Sequence, residues 1–110
     1  MLRSERRTTR EDGAALTQLF PGKTLIFGDM APGGPFRMRL DHDGSAVLLK
    51  GPEDTPFDSG TWSIDDNKFC RDWQKTRPYY ACLAVVSDKA RVEFFDSNGL
   101  MVIDAHVIEE

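Results

Sequence analysis

The sequence predicts a mainly β protein in which about eight antiparallel strands form a meander that closes into a small barrel, after one short N-terminal helix. Apolar residues change from helical to alternating spacing after Gly22. Tight-turn sequences then separate strand-sized segments at short intervals. The 110 residues are enough for one domain. Closure would leave no exposed edge, which favours a barrel, whereas a two-layer sandwich is the rival architecture.

The predicted helix begins near Thr9, because residues 8–11 read Thr-Thr-Arg-Glu and match a Thr-x-x-Glu capping box. Apolar residues follow at helical spacing, and Pro21-Gly22 ends the helix. We expect its apolar stripe to cover one end of the barrel; the stripe consists of Ala15, Leu16, Leu19 and Phe20. Residues 1–10 show no apolar periodicity and are expected to be a flexible segment, with residues 11–110 forming the single barrel domain.

Period-two alternation defines the strands, most clearly in residues 36–40, where Phe36, Met38 and Leu40 alternate with charged residues. Stretches rich in Gly and Pro at residues 31–35 and 51–59 are expected to be loops. The predicted strands are residues 23–27, 36–40, 46–50, 61–64, 68–73, 79–86, 90–95 and 100–107.

The chain has two cysteines, Cys70 and Cys82, placed symmetrically about a predicted loop at residues 74–78. Folding about that loop would set the cysteines opposite each other and pair Trp73 with Tyr79. We therefore predict a disulfide that closes a loop of about 13 residues and contributes about 3 kcal/mol, in an oxidising compartment. The alternative is a pair of reduced, buried thiols in a cytosolic protein.

Charge and hydropathy exclude several classes of partner. The net charge is −4, but residues 1–10 carry +3, so the remainder carries −7. An acidic body repels phosphate backbones, so nucleic acid is not an expected partner unless the arginine-rich residues 1–10 supply the contact. No apolar run approaches the roughly 20 residues of a membrane-spanning helix, and the N-terminus lacks the apolar stretch of a secretory signal.

The second half of the sequence is rich in aromatic residues, which can fill a core or line a cup for a small apolar or aromatic ligand. Trp62, Trp73 and Tyr80 are the predicted ligand contacts. Arg71 alternates in phase with Phe69 and Trp73. It would present a cation to an anionic ligand or an aromatic ring if that face is inward, and would be an ordinary exposed residue if it is not.

Catalytic patterns are missing from the sequence. The two histidines, His42 and His106, cannot form a three-histidine zinc site. There is no Gly-x-Ser-x-Gly elbow, phosphate-binding glycine loop or dinucleotide fingerprint, and paired carboxylates fall in predicted loops. We therefore expect a protein that is not an enzyme, with no catalytic residues, no cofactor and no metal site.

Three motifs in order, Phe20-Pro21-Gly22-Lys23-Thr24, Gly60-Thr61-Trp62 and Cys70-x-x-Trp73 followed by Cys82, resemble a family of small, uncharacterised bacterial exported proteins. The resemblance spans residues 12–107. It implies a lipocalin-like barrel with a disulfide in the periplasm or outside the cell, and it carries no established activity. The chain departs from the family in showing no export signal, so a cytoplasmic location stays open.

Two functions follow as hypotheses. The first is a non-enzymatic barrel that binds a small apolar or aromatic ligand. The alternative is a protein-interaction module, such as an exported inhibitor of a hydrolase, that would insert the loop at residues 31–35 or 51–59 into its partner.

Overall fold

The computed structural model describes residues 9–28, 32–76 and 81–109. Its elements are β1 (Thr9–Arg10), α1 (Gly13–Leu19), β2 (Lys23–Phe27), β3 (Phe36–Leu40), β4 (Ser45–Lys50), β5 (Thr55–Asp65), β6 (Lys68–Trp73), β7 (Cys82–Asp88), β8 (Arg91–Phe95) and β9 (Met101–Glu109). From β2 to β9 each strand pairs antiparallel with the next, and β9 returns to pair with β2. The predicted closed meander is therefore confirmed.

The helix begins later than predicted, at Gly13, with Asp12 as its N-cap. The Asp12 carboxylate accepts a hydrogen bond from the Ala15 N–H at 2.9 Å. The predicted start near Thr9 is wrong because Thr9 and Arg10 pair with the end of β7 as strand β1. Among the described residues, β6 pairs with the beginning of β7 and β1 pairs with its end, so β1 extends the hydrogen bonding along that side of β7. The rest of the N-terminal segment lies outside the described residues.

Strand β5 begins earlier than predicted. Thr55 starts the strand, so Pro56 and Phe57 lie in the sheet and not in a loop spanning residues 51–59. Proline lacks a backbone donor and weakens a ladder, but here the register between β4 and β5 shifts beside Leu49, the partner of Pro56. The irregularity accommodates the proline, and the connection before it is a short turn.

Helix α1 covers one end of the barrel, called the closed end below. Its Gly13 N–H donates to the Asn67 side chain in the β5–β6 turn at 2.7 Å. Phe20, the C-cap residue, is fully buried, with its ring centroid 5.0 Å from that of Phe69 and 6.0 Å from that of Phe94. Leu16 is buried in the same cluster. Aromatic packing therefore fills this end of the barrel.

Cys70 and Cys82 form a disulfide, as the sequence predicts. The two residues face each other in the β6–β7 ladder, with Phe69 opposite Leu83 beside them. The predicted pairing of Trp73 with Tyr79 falls outside the described residues.

Within the described ranges, no helix has the length and hydropathy needed to cross a membrane.

Candidate functional site

The end of the barrel opposite α1 holds an open cavity of about 220 Å³, called the mouth cavity. Its position follows from the strand order. Phe27 is the last residue of β2, Phe36 the first of β3 and Trp73 the last of β6, so these rings meet where the strands end. The mouth cavity thus lies away from the aromatic cluster of the closed end.

Aromatic rings form much of the cavity wall. Phe27 and Phe36 are partners in the β2–β3 ladder, and their ring centroids lie 5.7 Å apart. Phe57 meets Phe36 edge to face at 6.0 Å. The Lys50 Nζ lies 5.6 Å from the Phe57 ring centroid. Aliphatic side chains complete the apolar wall: Met38, Leu48 and Ile103. A surface of this composition can remove apolar or ring-containing groups from water.

Arg71 is the charged residue among the described residues that line the cavity. It shares the inward face of β6 with Phe69 and Trp73, both of which are buried. Its Nη1 atom is buried and has no hydrogen-bond partner in the described part of the chain. Burial lowers the pKa of the Arg71 guanidinium, although an arginine side chain stays protonated in proteins. Among the described residues, the cavity lining therefore holds a positive charge and no acidic side chain.

Asp58 anchors the rim of the cavity next to Thr76. Its carboxylate accepts hydrogen bonds from the backbone N–H groups of Ser59 at 2.8 Å, Lys75 at 3.1 Å and Thr76 at 2.6 Å. Burial alone would raise the pKa of this carboxyl, but the hydrogen bonds from Thr76, Lys75 and Ser59 outweigh it and lower the pKa to about 2. The segment after β6 is thereby fixed at the point where Thr76 joins the cavity lining.

The residues predicted as ligand contacts fall in different places. Trp73 is 4% exposed and lines the mouth cavity together with Arg71. Trp62 points toward the closed end: its Nε1 donates to the Asp41 carbonyl at 2.9 Å, and its ring centroid is 6.2 Å from that of Phe69. It is not among the described residues that line the cavity. Tyr80 lies outside the described residues.

The phenylalanines of the cavity were not predicted as site residues. Phe27 and Phe36 flank the Gly- and Pro-rich loop, and this position at adjacent strand ends is the signal that could have identified them. Phe57 had no such signal, because its surroundings read as a loop.

A second depression, of about 440 Å³, lies on the outer wall of the barrel. Arg39 is exposed there, and Arg37 pairs with Asp54 at 2.5 Å. These arginines point away from the interior, since the intervening Met38 points inward.

Among the described residues, no group of three or more His, Cys, Asp or Glu side chains could hold a metal ion.

Comparison with protein-family models, curated protein sequences and solved structures finds no match to this chain. The cavity itself is therefore the basis for a functional proposal.

Proposed function

We propose that the protein is a non-enzymatic binding module that holds a small apolar or aromatic ligand in the mouth cavity. The observation that carries the proposal is an aromatic-lined cavity, at the end of the barrel opposite α1, in which the buried Arg71 Nη1 has no hydrogen-bond partner among the described residues. Small-molecule sites are concave, mostly apolar, and contain a few polar groups that orient the ligand. An engineered apolar cavity of about 150 Å³ accepts benzene, so about 220 Å³ has room for one substituted ring.

The disulfide supports a location in an oxidising compartment, because such bonds persist mainly outside the reducing cytosol. The resemblance to exported bacterial proteins agrees with this. We therefore propose the periplasm or the cell exterior as the place of action, where a small barrel would meet extracellular organic compounds.

An NMR titration tests the binding function. Phenylacetamide, a neutral probe with one ring, should shift the backbone amide signals of Phe27, Phe57 and Trp73 in ¹⁵N-labelled protein. The variant Ile103→Phe should fill the cavity and remove these shifts. Val102→Phe is the matched control, because Val102 directly precedes Ile103 on β9 and its side chain is half exposed. The proposal fails if millimolar phenylacetamide leaves the cavity signals unchanged in the wild-type protein.

A second candidate function is protein interaction. Three consecutive apolar residues are exposed where β9 begins: Leu100, directly before the strand, is 63% exposed, and Met101 and Val102, its first two residues, are 48% and 47% exposed. Adjacent exposed apolar residues are a feature of protein-binding surfaces. If so, a purified protein that binds the wild-type chain reversibly should no longer bind the Leu100→Asp variant. The variant should still bind phenylacetamide. A partner that binds this variant with unchanged affinity would contradict this candidate.

A further inference from the structure

We infer that the mouth cavity is selective for small organic monoanions, with a carboxylate that binds the Arg71 guanidinium and an aromatic or short apolar body that fills the aromatic wall. This inference rests on the proposed binding function and adds the chemical class of the ligand.

The placement of Arg71 is the first step. Long cationic side chains normally extend until their charged ends reach water. In this barrel the Nη1 atom is instead buried beside an apolar wall, without a partner in the described part of the chain. Its backbone is held in place, because the Arg71 N–H donates to the Ala81 carbonyl at 3.0 Å and the adjacent Cys70 is cross-linked to β7. A ligand oxygen would supply the missing acceptor.

The charges around Arg71 determine the sign of the ligand. None of the described residues that line the cavity is acidic. The Asp58 carboxylate at the rim is negatively charged, but it is engaged by the backbone N–H groups of Ser59, Lys75 and Thr76. A carboxylate bound at Arg71 would therefore meet no like charge in the described lining. Lys50 adds a second positive charge beside Phe57 at the rim. The planar guanidinium matches the geometry of a carboxylate and can bind it through two parallel hydrogen bonds. An ammonium ligand would be repelled at the same place.

The rest of the molecule disfavours longer and more highly charged anions. Residues 11–110 carry a net charge of −7, so polyanions are repelled before they reach the cavity. The cavity volume of about 220 Å³ accommodates one ring with a short acidic substituent, whereas a long acyl chain would extend into solvent. The cavity volume therefore favours a small ligand, and the net charge of the protein favours a ligand with a single negative charge over a polyanion.

The order of residues along β6 gives the orientation of the ligand. This strand runs from Phe69, next to the closed end, to Trp73 at the mouth, so Arg71 lies deeper than Trp73. The carboxylate would enter first and bind Arg71. The ring would then lie between Trp73 and the phenylalanines of the rim, where it would change Trp73 fluorescence.

Three probes of nearly equal shape test the inference: phenylacetate, phenylacetamide and phenethylamine, titrated at pH 7 by NMR and calorimetry. The wild-type protein should bind phenylacetate at least about tenfold more tightly than phenylacetamide, as expected for a charge-assisted hydrogen bond, and should bind phenethylamine least. Arg71→Met should remove the preference for the acid but retain binding of the amide. Arg71→Lys should keep part of the preference. Arg39→Met, an identical change on the outer wall, should keep all of it.

The outcomes separate this inference from the proposed function. Equal affinity of the wild-type protein for the acid and the amide overturns the inference and leaves the binding function intact. Signal shifts from phenylacetate that map to Arg37 and Arg39 instead of the mouth cavity also overturn it. The absence of cavity shifts with all three probes overturns both proposals. The wild-type comparison decides the matter even if Arg71→Met does not fold.

Discussion

Gly60 lies at the closest approach between β5 and β6, and Gly60→Ala should be strongly destabilising. It faces Trp73 in the ladder. A Cβ atom added at Gly60 would lie 2.0 Å from the carbonyl oxygen of Asp72 and 2.9 Å from the Cα of Trp73. Both are backbone atoms, so no side-chain rotation can relieve the overlap. Strand β6 would have to move away from β5.

The size of the effect follows from that displacement. An ordinary contact needs about 3.4 Å, so β6 must shift by more than about 1 Å, which lengthens its hydrogen bonds to β5. The disulfide to β7 and the packing of buried Trp73 both resist the shift. We expect a loss of at least about 3 kcal/mol, at the upper end of overpacking costs, and a fall in Tm of about 12 °C or more. Phenylacetamide binding should weaken as well, because Trp73 lines the cavity.

Urea unfolding followed by tryptophan fluorescence measures this loss. Gly51→Ala is the control: Gly51 has φ +78°, and a Cβ there would meet no atom within 4 Å. It should cost about 1 kcal/mol from left-handed backbone strain alone. The reasoning is refuted if Gly60→Ala costs no more than Gly51→Ala.

Three further outcomes are expected. Replacing Cys70 and Cys82 together by serine should lower the free energy of unfolding by about 3 kcal/mol in urea titrations, and a loss below about 1 kcal/mol would contradict the loop-entropy argument. Since the folded pKa of Asp58 is about 2, below its ordinary 3.8, its stabilisation is present above about pH 4 and is lost as the pH falls toward 2. Asp58→Asn should therefore flatten the Tm profile over that range, and an unchanged slope would count against it. Trp62→Phe removes the bond to the Asp41 carbonyl and should cost about 1 to 2 kcal/mol without changing phenylacetate affinity, as a parallel titration would show.

Local patterns were sufficient to predict much of the sheet. The bounds of β2, β3 and β6 agree with the predicted residues 23–27, 36–40 and 68–73. Each of these strands has its own alternation or turn signals, and the two cysteines fix one hairpin by symmetry alone. Such features act between near neighbours and do not depend on how the barrel closes.

The errors arose where distant residues decide the structure. The sequence at residues 8–11 matches a capping box, but Thr9 and Arg10 pair with β7 as a short strand and do not begin the helix. Asp12, the actual N-cap, competes with that motif and gives no stronger local signal. Strand β5 was shortened because Pro56 disfavours a ladder, and the irregularity beside Leu49 that tolerates it is visible only in three dimensions.

The candidate site depends on a further distinction that composition does not contain. Inward-facing aromatic residues occur at both ends of the barrel, but α1 inserts Phe20 against Phe69 at one end, whereas the described residues of the other end line the mouth cavity. The same residue type is therefore core at the closed end and cavity wall at the mouth. The sequence places Arg71 on the same strand face as Phe69. It does not show whether that face points into the barrel, because this depends on how the sheet closes.

Stability and ligand binding place opposite demands on the residue at position 71. A buried donor without an acceptor destabilises a fold, and apolar side chains of similar size often stabilise it when they replace buried charged groups. In the free protein the buried Nη1 atom, which has no acceptor among the described residues, would therefore weaken the barrel, whereas a bound carboxylate would remove that cost and add a charge-assisted hydrogen bond. Binding would then be favoured by relief of a pre-existing cost as well as by new contacts. An apolar residue at this position would give a more stable barrel with a cavity that does not distinguish an acid from its amide.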